Sequence, residues 1–244
     1  IREEKLPSVT TILSACQSDE KKASLEAWRK RLGPKTADIA RDLAAERGTA
    51  MHKYLECHIK GVGYDDQTNE GVIGKRMAKV VIEKAFPFIN EIWGTEVTMY
   101  YPTFYGGTAD CVGLWHDKPA IMDFKQTNKP KKIEWIEDYF VQLAAYSMAH
   151  DALFGTKMEA GVILMASRGL EFQMFTIDGQ RFEDYKYKWL KRLPKNPDKV
   201  VSVGDDVVKP WYQKVIAHRK KWGKSVPEAK RSFYQSRRVP WHQA

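Results

Sequence analysis

Two short segments of the chain carry acidic and basic residues in a pattern that could hold a metal ion. Asp110 follows Gly-Gly-Thr-Ala, and Asp123-Phe124-Lys125 closes a later apolar run. Residues i and i+2 of a strand share one face, so Asp123 and Lys125 point the same way, and a neighbouring strand can bring Asp110 beside them. The two carboxylates would supply oxygen ligands for Mg²⁺ or Mn²⁺, which polarises a phosphate and acidifies a water molecule. The lysine would orient that water or neutralise developing charge.

The same residues have a plainer interpretation as ordinary residues at the ends of strands. Aspartate and lysine are common, so the Asp-x-Lys spacing does not decide between the two interpretations. The apolar Ala120-Ile121-Met122 before Asp123 and the basic loop after Lys125 favour a site.

The elements that would position these residues follow from the hydrophobic period and the turn residues. Segment 6–13 fits a strand or a helix start. Helical patterns cover 19–33, 36–60, 74–92 (broken near Pro87), 134–153 and 180–193. Strands are predicted at 95–101, 108–116, 120–125, 159–167 and 170–177. This order predicts an α/β fold with a central mixed β-sheet of about five strands flanked by helices. One apolar face of the 36–60 helix is expected to carry Ile39, Leu43, Ala50 and Leu55.

Length and composition exclude several classes of protein. The 244 residues are 43% apolar and 29% charged, which is typical of globular proteins, and they fit one large domain or a domain with an extension. No apolar run reaches the length of a membrane helix, and no signal-peptide pattern opens the chain. The three cysteines, Cys16, Cys57 and Cys111, are scattered. They argue against a disulfide framework, a zinc ribbon or an iron–sulfur cluster, and they favour a reducing intracellular compartment.

The net charge of +9 is concentrated at the end of the chain. Residues 209–244 hold ten Lys or Arg and one acid, Glu228, so this segment carries the whole excess. Aromatic residues such as Trp211 and Trp222 lie among these basic residues, a composition that suits a nucleic-acid strand. A solvated basic tail that packs its aromatic residues on the domain fits the composition equally well.

Four motifs, in this order along the chain, resemble those of the RecB-like exonuclease branch of the PD-(D/E)XK nuclease superfamily. They are Arg47-Gly48-Thr49-Ala50-Met51-His52 continuing to Leu55-Glu56, Gly106-Gly107-Thr108-Ala109-Asp110, Ile121-Met122-Asp123-Phe124-Lys125, and Gln142-Leu143-Ala144-Ala145-Tyr146. The resemblance covers roughly residues 6–193. We therefore predict a nuclease domain over 1–194, with an N-terminal helical region, and a basic aromatic extension over 195–244.

The resemblance implies a restriction-endonuclease-like core and a role for each matching residue. His52, Asp110, Asp123 and the carbonyl of Phe124 would bind Mg²⁺ or Mn²⁺, and Lys125 would be the catalytic lysine. Gln142 and Tyr146 would border the site, although a polar rim on a core helix also explains them.

Further residues near the motifs have two interpretations each. Thr127, Lys129, Lys131 and Lys132 would contact phosphates, or they form a solvated loop. Glu56 would orient His52 or be a surface charge, and Glu96 would face the metal through water or face solvent. Ser8 and Thr10 would cap a helix or bind phosphate.

The function expected from this resemblance is that of a metal-dependent DNA exonuclease acting on single-stranded ends, in replication, recombination or repair. The alternatives are a structure-specific endonuclease or resolvase on the same core, and a non-catalytic DNA-binding protein. The chain has no nucleotide-binding phosphate loop, so any helicase, like any single-strand-binding partner, would be a separate protein. We expect no membrane partner. The cytoplasm of a bacterial or phage-infected cell is the expected location, with the mitochondrial matrix as the alternative.

Overall fold

A computed structural model of the chain describes residues 6–102 and 104–193, and the predicted basic extension over 195–244 lies outside these residues. The helices are α1 (Val9–Ala15), α2 (Asp19–Leu32), α3 (Pro34–Ile59), α4 (Asn69–Ala85), α5 (Glu137–Phe154) and α6 (Gly179–Arg192). The strands are β1 (Ile89–Tyr101), β2 (Tyr105–Trp115), β3 (Lys118–Thr127), β4 (Ala160–Ser167) and β5 (Phe172–Asp178).

The strands form the predicted mixed sheet of five strands in the order β1-β2-β3-β4-β5. Neighbours are antiparallel except β3 and β4, which are parallel. A parallel pair needs a long crossover between its strands, and α5 provides it. The predicted α/β fold with helices flanking the sheet is confirmed, and it is consistent with a restriction-endonuclease-like core.

Helices cover both faces of the sheet. Ile121 and Ile163 belong to a core that α1, α5 and α6 complete, whereas Met122 and Leu164 belong to a second core beneath α3 and α4. Successive strand residues alternate between the two cores, as the pleat requires. The residues with the parity of Ile121 in β3, including Asp123 and Lys125, therefore lie on the side of α5.

The helices begin and end where side chains satisfy the free backbone groups. Ser8 accepts a hydrogen bond from Thr11 N–H at 3.0 Å and so caps α1, which decides between the two roles predicted for Ser8. Ser18 and Thr68 cap α2 and α4 in the same way. Gly33, at φ +79°, separates α2 from α3, which opens with Pro34.

Two predictions for the helical region are wrong. The bounds predicted for the helix over 74–92 are wrong, since α4 runs from Asn69 to Ala85, but the predicted break near Pro87 is present as a single 3₁₀ turn before β1 begins at Ile89. The predicted apolar face of α3 is buried only in its second half. Ile39 is 60% exposed and Leu43 41% exposed, whereas Ala50 and Leu55 are buried.

A buried arginine joins the helices to the end of β3. The Arg47 guanidinium donates to Glu70 of α4 at 2.5 Å, to Gln126 of β3 at 3.1 Å and to Asn128 in the following loop at 2.6 Å. Arg47 is 2% exposed and Glu70 7% exposed. Three elements therefore meet on one cation whose donors have no access to water. The fixed fork of a guanidinium suits this arrangement, which the single ammonium of a lysine could not reproduce.

The described residues contain no helix that is both long enough and apolar enough to span a bilayer. Within the same residues Cys16, Cys57 and Cys111 are all free thiols, in line with the absence of a disulfide framework predicted from their spacing.

We expect Arg47→Ala to lower the free energy of unfolding by about 3 to 5 kcal/mol, because it leaves the buried Glu70 carboxylate without its partner. Urea denaturation measures the change. Arg41→Ala is the matched control, since Arg41 is exposed and pairs with Asp38 and Asp42 at the surface of the same helix, and we expect it to change stability little. The combination of Arg47→Ala with Glu70→Gln should cost less than the sum of the two single changes. Full additivity would contradict the coupling.

Candidate active site

The site lies where β2 and β3 part. Their pairing ends at Cys111↔Met122, and beyond this pair β2 stays with β1 while β3 stays with β4. Asp110 and Asp123 are the first residues past the last pair, one on each strand. We call this opening the fork. It places both predicted carboxylates at the same point of the sheet.

At the fork, a side chain replaces the backbone as the hydrogen-bond acceptor. The Asp110 carboxylate accepts a hydrogen bond from the Phe124 N–H at 2.7 Å. Burial raises the pKa of Asp110, but the contacts with His52, Lys125 and this N–H outweigh it, so the pKa of Asp110 is lowered. The carboxylate is thus fixed in position and held in its charged form.

Asp123 and Lys125 form an ion pair on the α5 side of β3. The Lys125 Nζ contacts Asp123 Oδ2, and it also lies 5.2 Å from the centroid of the Tyr139 ring. Burial raises the pKa of Asp123 to about 6, and the nearby Asp110 contributes while Lys125 opposes. Burial lowers the pKa of Lys125, but the two carboxylates raise it by more. The i, i+2 pairing predicted from the spacing is therefore present.

His52 and Glu96 approach Asp110 from two further elements. His52 Nδ1 of α3 lies 3.5 Å from Asp110 Oδ1. Candidate ligand atoms of His52, Glu96 and Asp110 all lie within 4.8 Å of one another. Burial lowers the pKa of His52, but Asp110 raises it by more. Glu96 of β1 has its pKa raised by partial burial and by Asp110. This geometry supports the interpretation that Glu96 faces a metal ion.

Glu96 has an unusual backbone. Its φ is +50°, although it lies within β1 between residues paired at Thr95↔Cys111 and Val97↔Ala109. The left-handed region costs a residue with a Cβ atom roughly 1–2 kcal/mol. Such strain at a candidate site indicates that the surrounding sheet holds the Glu96 carboxylate where the local backbone would not place it.

Gln142 and Tyr146 lie one turn apart on α5 and bind each other. The Gln142 amide donates to the Tyr146 hydroxyl at 3.1 Å, and both side chains are buried. Burial raises the pKa of Tyr146 to about 12. A Cβ on Gly107 would lie 2.6 Å from the Tyr146 ring. The glycine pair before Asp110 therefore makes room for this ring beside β2.

The donor set fits a hard divalent cation. The group of His52, Glu96 and Asp110 offers one imidazole and carboxylates from two strands, which are suitable ligands for Mg²⁺ or Mn²⁺, and Asp123 of β3 does not belong to this group. Asp123 Oδ2 is buried and, among the residues that the structure describes, forms no hydrogen bond beyond its ion pair with Lys125. A cation would satisfy this oxygen. The predicted ligands Asp123 and the Phe124 carbonyl stay predictions. The Phe124 ring packs against His52, with 6.1 Å between ring centroids.

The loop after Lys125 is held at three points. Asn128 binds Arg47, the buried Thr127 hydroxyl donates to the Lys129 carbonyl at 2.8 Å, and the Gln173 amide of β5 brackets the backbone of Lys131. The Lys129 and Lys132 side chains are exposed and that of Lys131 is half-buried. The Thr127 hydroxyl thus helps to fix the loop, and the phosphate contacts predicted for Thr127 and the three lysines stay predictions.

Two grooves open beside Lys125 and share Gln126 in their walls. One, of about 500 Å³, follows α3 past Gly48, His52 and Glu96. The other, of about 360 Å³, lies between the basic loop, Trp135 and Tyr139. We call them the α3 groove and the loop groove. Glu56 lines the α3 groove, but its carboxylate pairs with Lys53 and Lys60 rather than with His52.

Arg47, Gln173 and Trp135 lie at or beside the site, although no sequence pattern gave them a role. Arg47 was visible as the first residue of the motif that ends in His52. Gln173 carries no signal in the sequence, because only the β4–β5 pairing brings it to the loop. Trp135 falls at the start of the helix predicted over 134–153, where an aromatic residue is expected to pack in the core.

Comparison with known proteins supports the predicted likeness to nucleases of the PD-(D/E)XK type, whereas the RecB-like branch stays a prediction. The chain is 27% identical over 210 residues to mitochondrial genome maintenance exonuclease 1 of Mus musculus, covering 80% of this chain and 60% of that protein. It is 24% identical over 219 residues to the Homo sapiens protein, covering 85% of this chain and 62% of that protein. It is 26% identical over 200 residues to the Xenopus tropicalis protein, covering 77% of this chain and 56% of that protein. The chain therefore spans about 60% of the length of these relatives.

Other comparisons are weaker. No protein-family model matches the sequence. A crystal structure of a candidate exonuclease from Eubacterium rectale superposes with a TM-score of 0.42 at 12% identity, over 72% of this chain and 68% of that chain. A superposition of this extent carries no weight for the function.

The strained backbone of Glu96 gives a test that separates its backbone from its carboxylate. We expect Glu96→Gly to be more stable to unfolding than Glu96→Ala by about 1 kcal/mol, because only glycine adopts a positive φ without strain. At Thr98, an exposed residue of the same strand without a positive φ, the glycine variant should be the less stable of the two. Both Glu96 variants should bind Mn²⁺ more weakly than the wild type in calorimetric titrations. Unchanged Mn²⁺ affinity would remove Glu96 from the ligand set.

Proposed function

We propose that the chain is a metal-dependent DNA exonuclease whose active site is the fork. The observation that carries this proposal is the convergence of His52, Asp110 and the Asp123–Lys125 pair at one point of the sheet. The similarity to the mitochondrial genome maintenance exonucleases supports it. The general proposal is nuclease activity, and the more specific proposal is exonuclease activity on single-stranded ends.

The residues of the fork would divide the chemistry among them. His52, Asp110, Asp123 and the Phe124 carbonyl would hold Mg²⁺ or Mn²⁺, with Glu96 as a further ligand, direct or through water. The bound cation would polarise the scissile phosphate. Lys125 would place its ammonium beside that phosphate, where it orients the attacking water or balances the charge that develops on the phosphoryl oxygens. Asp123 would hold the Lys125 ammonium in place through their ion pair.

The remaining site residues would position the substrate. Gln142 and Tyr146 would support the floor of the fork, since their hydrogen bond and the close contact with Gly107 fix both side chains. Lys129, Lys131 and Lys132 would contact phosphates on the side of the loop groove. None of these three lysines forms an ion pair with another described residue, so their charges are available to a polyanion.

The wider setting follows the resemblance. We propose a RecB-like exonuclease that acts in replication, recombination or repair, with a helicase or single-strand-binding protein as a separate partner. The cytoplasm of a bacterial or phage-infected cell is the proposed location, with the mitochondrial matrix as the alternative that the named relatives favour.

We expect Lys125→Met and Asp123→Ala to lower the cleavage rate by a factor of about 10² to 10³ or more, while DNA binding survives. The assay uses single- and double-stranded DNA labelled at the 5′ or 3′ end, with Mg²⁺, Mn²⁺ or EDTA. It also gives polarity and strand preference. Lys157→Ala, an exposed lysine that precedes β4 at the far end of the sheet, is the matched control and should cleave normally. Full activity of either fork variant would rule out this assignment.

The two alternative functions predict different results in a cleavage and binding assay. An endonuclease or resolvase on the same core would cut closed circular single-stranded DNA, which offers an exonuclease no end. A non-catalytic DNA-binding protein would bind in EDTA and cleave with neither metal. The presence of the whole set His52, Asp110, Asp123 and Lys125 favours cleavage over binding alone.

The basic extension, outside the described residues, is proposed to bind DNA. Truncation after about residue 200 removes 209–244 and its ten basic residues. We expect weaker DNA binding and a shallower dependence of log affinity on log salt, because fewer counterions are released. Fluorescence anisotropy at several salt concentrations measures both. An unchanged salt slope would mean that the extension serves another purpose.

A further inference from the structure

Trp135 stands in the loop groove with most of its surface exposed. It is 56% accessible to solvent, whereas the next residue, Ile136, is buried at 1% exposure. The groove around Trp135 is lined by the lysines Lys129 and Lys131 and by the aromatic ring of Tyr139, so an exposed ring and positive charges share one wall. Lys132 Nζ lies 5.6 Å from the centroid of the Trp135 ring.

The ring is presented on a fixed support. Residues Ile133–Trp135 form a single 3₁₀ turn, in which the Trp135 N–H donates to the Lys132 carbonyl at 3.0 Å. The buried Ile136 anchors the next position. The clamp of Gln173 on Lys131 holds the approach to the turn. Little backbone freedom would therefore be lost when a ligand binds on the ring.

The groove continues towards the fork. Tyr139 lines the same groove as Trp135. The centroid of the Tyr139 ring lies 5.2 Å from Lys125 Nζ. Two aromatic rings and the lysines of the loop thus lead to the ammonium at the candidate active site. The volume of about 360 Å³ lies in the range of small-molecule sites.

We infer that Trp135 is a stacking platform for an unpaired nucleobase of the DNA strand that enters the fork. This inference rests on the proposed nuclease function and gives it a physical basis for preferring single strands. Stacking on an aromatic ring needs an exposed base face, which a base inside a duplex does not offer. Lys129, Lys131 and Lys132 hold the flanking phosphates, and Tyr139 carries the contact on towards Lys125.

The probe is an oligothymidylate in which one nucleotide at a time is abasic, bound by the full chain in EDTA and measured by fluorescence anisotropy. We expect the wild type to lose affinity about tenfold when the abasic residue occupies one particular position. Trp135→Ala should bind the intact strand about tenfold more weakly and should no longer respond to the abasic residue at that position. Trp135→Phe should retain part of both effects.

Controls separate stacking from folding and from the nuclease assignment. Phe88→Ala removes an exposed aromatic ring that packs on Trp115 and His116 at the far end of the sheet, and it should bind like the wild type. Binding to blunt duplex DNA should change less in Trp135→Ala than binding to the single strand. Thermal unfolding monitors the fold of each variant.

Wild-type affinity of Trp135→Ala for the intact strand would overturn the inference. So would weaker binding that still responds to the abasic residue, because Trp135 would then support the groove without holding a base. In both cases the wild type would still cleave, and the proposed function would stand. A wild type that neither binds nor cleaves DNA would instead refute the proposed function itself.

Discussion

The fork between β2 and β3 is the feature on which the rest of the site depends. Backbone pairing stops at Cys111↔Met122, and the Asp110 carboxylate takes the Phe124 N–H that the ladder leaves free. A buried N–H without a partner would cost about 1 to 3 kcal/mol, so the opening is stable only while a side chain supplies the acceptor. One carboxylate thus ends the strand pairing and begins the candidate metal site. Asp110 is therefore under a structural demand and a chemical demand at once.

The separation between the fork and α3, which carries His52, must also be fixed. Arg47 fixes it by linking α3 to the end of β3. It binds Gln126 and Asn128 just beyond Lys125 and lies five positions before His52 on α3. The close crossing of α3 and α4 reinforces it, because a Cβ at Gly74 would lie 2.9 Å from Ala50 Cβ. His52 and Lys125 therefore belong to elements joined by a cation without access to water, and displacement of either element would break charged hydrogen bonds.

Much of the fold followed from local pattern. The strand alternation, the caps and the turn residues predicted five strands and the crossover helix, because each of these elements is stabilised by its own period. The predictions failed where the tertiary structure overrides the local pattern. Ile39 and Leu43 have helical spacing but remain exposed, and Ile89 continues an apolar helical period although Pro87 has already turned the chain. The clamp of Gln173 on Lys131 depends on a pairing between distant strands, which no local pattern encodes.

The residues of the candidate site were predicted, with Glu96 as one of two open interpretations, but their geometry was not. Asp123 and Lys125 share a face by the pleat, and His52 was found through a motif. Glu96 lies in the cluster with a positive φ, a conformation that the sequence Gly-Thr-Glu-Val gives no reason to expect at the glutamate. Relief of this strain would favour a straighter strand, and Asp110 and Glu96 would repel each other without a counterion. Both effects act against the apo arrangement, so a bound cation would stabilise the strand conformation as well as join the ligands.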